Sequence, residues 1–191
     1  MRKNEERSKT VVVLIEEQYQ DLEVWVPYYR LREAGIKTLL LGRETGKAYK
    51  SKHGYPVVAQ TDYSKTKAKD LDGVIIPGGF APDFMRRYPE PALLVAEMFK
   101  SGKLVASICH GAWILCSAGV LKGMTATCFY AIADDVKNAG ARYVDREVVV
   151  DKNLITSRKP EDLPAFCSEI IKHFTPAERF LTAGAGLGVI L

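Results

Sequence analysis

Cysteine and histidine are scarce in this chain, which has four cysteines and three histidines among 191 residues. The cysteines form no C-x-x-C pair and no ladder of short spacings. This usage excludes a disulfide framework and favours a reducing compartment. The histidines lie far apart in sequence, so zinc-ligand spacing is absent too. The sequence therefore predicts no metal centre and no other cofactor.

Long apolar runs and an excess of one charge sign are also missing. The apolar C-terminal stretch FLTAGAGLGVIL is shorter than the roughly 20 residues of a membrane helix. Residues 1–9 lead into a β-rich run, so no signal peptide is expected. The formal net charge of +4 includes four basic and two acidic residues in residues 1–9. No basic stripe with interleaved aromatics follows. We expect a cytoplasmic protein with no sign of binding nucleic acid or a membrane.

Strand-like and helix-like stretches alternate along the chain. The strand-like runs are apolar without alternation, as in parallel strands buried on both faces. Strands are predicted at 10–15, 36–42, 72–77, 104–108 and, shorter, within 124–129 and 146–157. Helices are predicted at 21–34, 89–101, 110–118, 131–138 and 161–174, with a small hairpin within 45–61.

This alternation predicts a flavodoxin-like, doubly wound α/β fold, in which helices sandwich a mostly parallel sheet. The same architecture, with a nucleophile elbow, is found in class I glutamine amidotransferases. The simplest organisation is a single domain over residues 1–175, with residues 1–9 frayed and residues 176–191 as a C-terminal appendage.

The stretch LVASICHGAWIL (104–115) places Cys109 where a buried strand becomes a helix. Ser107 and Gly111 are the small residues of a nucleophile elbow, which has no room for bulk. Unpaired N–H groups and the helix dipole at such a turn favour a thiolate and lower the thiol pKa. Cys109 is therefore the predicted nucleophile. The other cysteines lie among apolar neighbours and are expected to pack as small hydrophobes.

His110 follows the predicted nucleophile directly. Neighbouring residues on a regular helix do not face each other. The pair can therefore cooperate only if a strained turn aims both side chains into one cleft. Otherwise His110 contributes chiefly its backbone N–H to an oxyanion site. His53 and His173 are expected to be surface residues.

The stretches ASICHG, DGVIIPGGFAPD and ITSRKPEDLPAF together resemble the PfpI-type intracellular proteases of the ThiJ/PfpI superfamily. The resemblance runs from about residue 9 to residue 174. It implies the fold described above and an active site built around the elbow.

The resemblance also implies site roles. Cys109 matches the reactive cysteine, and His110 matches the histidine that follows it. Glu23 matches a buried glutamate that hydrogen-bonds the sulfur. Gly78 and Gly79 match a glycine pair whose backbone helps to form the oxyanion site. Asp83 matches an acidic position that orients the histidine from a neighbouring subunit, which implies a homo-oligomer of dimer size or larger.

Three positions depart from the family pattern. Asp83 is one methylene shorter than the glutamate often found there, so its reach across an interface is reduced. Gln20 stands where some members carry an acid, which removes a candidate proton-transfer group. Trp113 stands near the elbow glycine, where proline and glutamine commonly follow, and its indole can reshape the pocket mouth.

The implied function is that of a cysteine-dependent hydrolase or lyase with a stress-protective role. Its substrates would be reactive dicarbonyls or their adducts on proteins, as in glyoxalases and deglycases, or peptides, as in an intracellular peptidase. The alternative is a non-catalytic redox sensor or chaperone that uses an oxidisable cysteine. A glutamine amidotransferase is disfavoured, because such a domain needs a His-x-Glu pair in the last third of the chain. The late histidine, His173, is followed by Phe174 and Thr175, so no glutamate stands two positions after it.

Overall fold

The computed structural model describes residues 8–175 of the chain. The strands are β1 (Thr10–Leu14), β2 (Lys37–Gly42), β3 (Ala48–Lys50), β4 (Pro56–Val58), β5 (Thr61–Asp62), β6 (Gly73–Ile76), β7 (Leu104–Ile108), β8 (Thr125–Ala126), β9 (Arg142–Tyr143), β10 (Val148–Asp151) and β11 (Leu154–Ser157). The α-helices are α1 (Asp21–Glu33), α2 (Ala81–Met85), α3 (Glu90–Lys100), α4 (Ala112–Ala118), α5 (Ala133–Asn138) and α6 (Leu163–Phe174).

Seven strands form the central sheet, in the order β10-β11-β7-β6-β1-β2-β5. Every pairing is parallel except that of β10 with β11. In the middle of the sheet, Val12 of β1 lies beside Leu39 of β2 and Val74 of β6. Strands β6 and β7 are buried along their whole length, because both faces of the sheet are covered. The predicted mostly parallel α/β fold is confirmed.

The sheet has its switch point between β1 and β6. From β1 the chain crosses to β2 on one side, and from β6 it crosses to β7 on the other. Because such crossovers are right-handed, α1 and α3 lie on opposite faces of the sheet. Helix α1 packs against α6, and α3 packs against α4. Ligands of doubly wound sheets bind beyond the carboxyl ends of the strands at such a point.

Most predicted boundaries are close to the observed ones, and the differences have local causes. Strand β7 has the predicted bounds. The helix predicted at 110–118 begins only at Ala112, because Cys109–Gly111 forms a 3-10 turn. The hairpin predicted within 45–61 is the antiparallel pair β3–β4. Helix α2 was not predicted, since it has only five residues and follows a Pro-Gly-Gly turn signal.

The predicted frayed start and C-terminal appendage fall mainly on residues 1–7 and 176–191, which lie outside the described residues. The single-domain boundaries therefore stay a prediction. Within residues 8–175, no helix combines the length and the apolar character needed to cross a bilayer. The cytoplasmic location stays a prediction as well.

Candidate active site

Cys109 occupies a strained turn at the carboxyl end of β7. Ile108 is still extended, with φ −128° and ψ 147°, whereas Cys109 has φ 59°. That left-handed conformation costs a residue with a Cβ atom roughly 1–2 kcal/mol. The strain is tolerated because the buried strand before it and the helical turn after it fix the backbone. The geometry is that of the predicted elbow.

Small residues around the turn are required by space. A Cβ atom on Gly111 would lie 2.3 Å from the Ile76 carbonyl oxygen, and one on Gly78 would lie 2.8 Å from the Cys109 Cβ. Both distances are shorter than real Cβ contacts. Glycine at these two positions therefore lets the β6 and β7 turns approach each other closely.

Several groups converge on the Cys109 sulfur. The backbone N–H groups of His110 and Gly79 act on this thiol and lower its pKa. The imidazole Nδ1 of His110 lies 3.3 Å from Sγ. The Glu23 carboxyl also interacts with the thiol. The structure thus brings together five of the six predicted site residues, Gly78 included through its contact with Glu23.

Glu23 is completely buried in the first turn of α1. Its Oε2 accepts the Gly78 N–H at 2.7 Å, while Oε1 has no hydrogen-bond partner among the described residues. Burial raises the pKa of this carboxyl to about 7, against the lowering effect of the Gly78 N–H and the Cys109 thiol. A carboxyl with this pKa can hold a proton near neutral pH.

The prediction of a lowered thiol pKa at Cys109 is wrong. Cys109 is only 6% exposed. Burial raises the pKa of its thiol, and the charge of Glu23 raises it further, while the His110 and Gly79 N–H groups oppose this.

His110 faces the sulfur because the strained turn redirects both side chains, as cooperation between them requires. Its ring stacks on Phe129 with centroids 4.8 Å apart and meets Trp113 edge-on at 5.2 Å. Burial lowers the pKa of the imidazole, and the charge of Lys52 lowers it further. The neutral form, which can accept a proton, is therefore favoured.

Gly79 adopts φ +73°, a conformation that side chains rarely take. A Cβ atom there would also lie 2.4 Å from the Gln18 carbonyl oxygen. The backbone of Tyr19 bridges Gly79 on one side and Ser51 of the hairpin on the other. The glycine pair after β6 is thereby fixed beside Cys109.

Asp83 is the one predicted site residue that does not contact the other five within one chain. Its side chain is 53% exposed and pairs with Arg87. Among the described residues, no hydrogen bond or ion pair joins it to Cys109 or His110. Gln20 acts locally: its Oε1 caps α1 by accepting the Leu22 N–H at 2.7 Å.

Lys52 and Phe129 are site residues that the sequence analysis missed. The charge of Lys52 acts on both Glu23 and His110. The Phe129 N–H donates to the Cys109 carbonyl oxygen at 3.4 Å, and its ring supports the imidazole. Neither residue lies near a motif, so only the tertiary arrangement shows their proximity to the site.

The remaining cysteines and histidines behave largely as expected. Cys128 and Cys167 are buried, and Cys116 is half-buried, all as free thiols. His53 is exposed, yet its Nδ1 lies 2.6 Å from the Asp21 carboxylate. Within residues 8–175, no group of three or more potential ligands could hold a metal ion.

The sequence profile of the DJ-1/PfpI family matches residues 9–173. The deglycase TK1284 of Thermococcus kodakarensis is 42% identical over 162 residues, covering 85% of this chain and 97% of that protein. YraA of Bacillus subtilis, provisionally named a cysteine protease, is 40% identical with coverage of 85% and 96%. Protein/nucleic acid deglycase 2 of Escherichia coli is 38% identical over 167 residues, with coverage of 86% and 97%.

Solved structures agree with the sequence matches. DJ-1beta of Drosophila melanogaster superposes with a TM-score of 0.84 at 29% identity, covering 96% of this chain and 100% of that one. A two-domain protein of Anabaena variabilis, with a DJ-1/ThiJ/PfpI-like and a ferritin-like domain, gives a TM-score of 0.85 at 42% identity. The match covers 87% of this chain and 48% of that longer one.

Proposed function

Because the chain belongs to the DJ-1/PfpI family, we propose that it is a deglycase- or protease-type enzyme with Cys109 as its nucleophile. Its relatives are named deglycases and, in one case, a cysteine protease. The proposed substrates are reactive dicarbonyls and their adducts on proteins. The name of the E. coli relative adds adducts on nucleic acid to the classes to be tested.

One observation carries this proposal: two backbone N–H groups, a carboxyl and an imidazole all meet at one sulfur on a strained turn. The N–H groups of His110 and Gly79 are suited to stabilise a negative oxygen that develops beside Sγ. The imidazole is suited to transfer protons, because its Nδ1 lies 3.3 Å from the sulfur.

Cys109 and Glu23 titrate as a coupled pair, so the position of one proton decides reactivity. The thiol pKa is raised partly by the charge of Glu23. A proton on the carboxyl removes this repulsion and places an O–H donor beside the sulfur. We therefore assign the reactive state to a neutral Glu23 and an anionic Cys109.

The chemistry is redox-neutral overall for a dicarbonyl such as methylglyoxal. The thiolate adds to the aldehyde carbon, and the new oxyanion lies against the N–H groups of Gly79 and His110. His110 moves the proton of that carbon to the carbon of the neighbouring carbonyl, while the oxyanion on the attacked carbon becomes the carbonyl of a thioester. The oxygen of the neighbouring carbonyl takes a proton from water and becomes an alcohol. The hydroxide left by that water then cleaves the C–S bond, releasing lactate and restoring the thiol.

Access to the sulfur favours small electrophiles over peptides. Cys109 is 6% exposed, and the rings of Trp113 and Phe129 flank His110 at the site. A dicarbonyl is compact and already electrophilic, whereas a peptide bond requires a groove and protonation of the leaving amine. A redox sensor remains the alternative, because the carboxyl–sulfur contact also suits a sulfinic acid.

The deciding experiment measures methylglyoxal consumption with lactate formation, and cleavage of a fluorogenic peptide, at one enzyme concentration. Cys109→Ser should abolish turnover, whereas the matched control Cys116→Ser should retain it. Peptide cleavage without dicarbonyl turnover would reassign the substrate. Absence of both, with peroxide oxidising Cys109, would replace the enzyme by the sensor.

A further inference from the structure

His110 has no carboxylate to orient it within one chain. Its polar side-chain contact among the described residues is the one between Nδ1 and the Cys109 sulfur. Asp83 pairs with Arg87 instead. A histidine that transfers protons beside a nucleophile is usually oriented by a third group. Within one protomer, some other feature must therefore orient this imidazole.

Two aromatic rings contact the His110 imidazole where an orienting carboxylate would otherwise act. Phe129 lies nearly parallel to the imidazole, at an interplanar angle of 29°, and Trp113 meets it at 70°. Stacked and edge-on contacts of this kind stabilise defined ring orientations. Together they limit rotation of the His110 ring about both side-chain bonds.

Trp113 is itself held from two other elements. Its Nε1–H donates to the Asp135 carboxylate of α5 at 3.0 Å. The guanidinium of Arg86, which follows α2, lies 5.7 Å from the indole centroid. Arg86 is anchored in turn through Nε, which donates to Ser117 Oγ of α4 at 2.9 Å. An indole so fixed at a half-exposed position has more partners than simple space filling requires.

We propose that Trp113 is a positioning residue that holds the His110 imidazole against the Cys109 sulfur, with Asp135 and Arg86 fixing the indole. The inference rests on the proposed function, because it gives His110 a role in turnover. In this chain, ring packing then replaces the charged partner as the means of orienting the proton-transfer group within a protomer. Phe129 supplies the opposite face of the clamp.

The test compares Trp113→Phe and Trp113→Leu in the full-length protein, with methylglyoxal as substrate. Trp113→Leu removes the ring and should lower kcat about tenfold or more, with KM changed by less than about threefold, because misplacement by about 1 Å is costly. Trp113→Phe keeps an aromatic edge and should retain most of kcat. Asp135→Ala, which frees the indole, should give an intermediate loss.

A wild-type kcat in Trp113→Leu would overturn the inference, as would equal losses in the Phe and Leu variants. A second measurement does not depend on turnover: the nuclear Overhauser contacts between the ring protons of His110 and those of Phe129, which stack 4.8 Å apart. We expect these contacts to persist in Trp113→Phe and to weaken or vanish in Trp113→Leu. Unchanged contacts in Trp113→Leu would reject the positioning role. Lost contacts without any wild-type turnover would reject the proposed function instead.

Discussion

Glu23 and Gly78 are joined by a hydrogen bond of 2.7 Å, although 55 positions separate them in the sequence. The bond ties the first turn of α1 to the turn after β6 and directs a buried carboxyl to the Cys109 sulfur. Burial sets the proton affinity of that carboxyl. Stability and reactivity are therefore linked through one group.

Glu23→Gln should remove a pH dependence of stability. The folded-state pKa is raised from the ordinary 4.5 to about 7. Its stabilising contribution is thus fully present below pH 4.5 and is lost as the pH rises through about 7. Glutamine keeps the acceptor for the Gly78 N–H but does not ionise. The variant should match the wild type at pH 4 and exceed it by about 3 kcal/mol at pH 8.

Urea unfolding at several pH values between 4 and 8 measures this difference. Other titrating groups cancel, because they are common to both proteins. A difference between the two proteins that does not change with pH would show that the carboxyl is not buried as described.

The backbone strain at Cys109 leads to a second prediction, which concerns the stability of variants at this position. Cys109→Gly and Cys109→Ala both remove the thiol, but only alanine keeps a Cβ atom at φ 59°. The glycine variant should therefore unfold at higher denaturant concentration, with an advantage of about 1 kcal/mol. Ala112→Gly is the control, since Ala112 has φ −58°. There glycine should cost about 1 kcal/mol. The same sign at both positions would contradict the strain.

Much of the fold was predictable, because its signals are local. Apolar runs without alternation marked the buried parallel strands, and β7 was located with its observed bounds. The five-residue helix α2 was missed, since its start coincides with a turn signal. Short elements of this kind are fixed by packing and carry little sequence pattern.

The active site likewise has features that could be predicted from local sequence and features that could not. The elbow at Cys109 follows from a strand, small neighbours and a turn, and its strain is observed. The raised thiol pKa was not predictable, because it depends on burial and on a carboxyl that the fold brings from α1. Lys52 and Phe129 reach the site through tertiary contacts alone. The roles of all these residues in catalysis stay predictions.

Gly78 offers a third test, because space alone constrains it. An added Cβ atom would lie 2.8 Å from Glu23 Oε2 and equally close to the His110 backbone nitrogen. Gly78→Ala should push these groups off the sulfur and lower kcat/KM about a hundredfold. It should also cost roughly 1–3 kcal/mol of stability.

Gly102→Ala is its control. Gly102 has φ +70°, yet nothing lies within 4 Å of an added Cβ atom. This variant should be destabilised while its kcat/KM stays at the wild-type value. If Gly78→Ala were fully active, the close approach of the two turns would not matter for catalysis.

Asp83 can act on the site only from a second copy of the chain, since within one chain it pairs with Arg87. An exposed ion pair contributes about 0–1 kcal/mol, so Asp83→Asn should leave stability nearly unchanged. If the predicted oligomer places Asp83 at a neighbouring His110, the same variant should lower kcat. Gel filtration can follow the dissociation of the wild type into monomers on dilution. Over the same dilution range, the specific activity of the wild type should then fall to the level of Asp83→Asn. A fully active wild-type monomer, with Asp83→Asn equally active, would exclude the trans-acting carboxylate and leave His110 to the aromatic rings of its own chain.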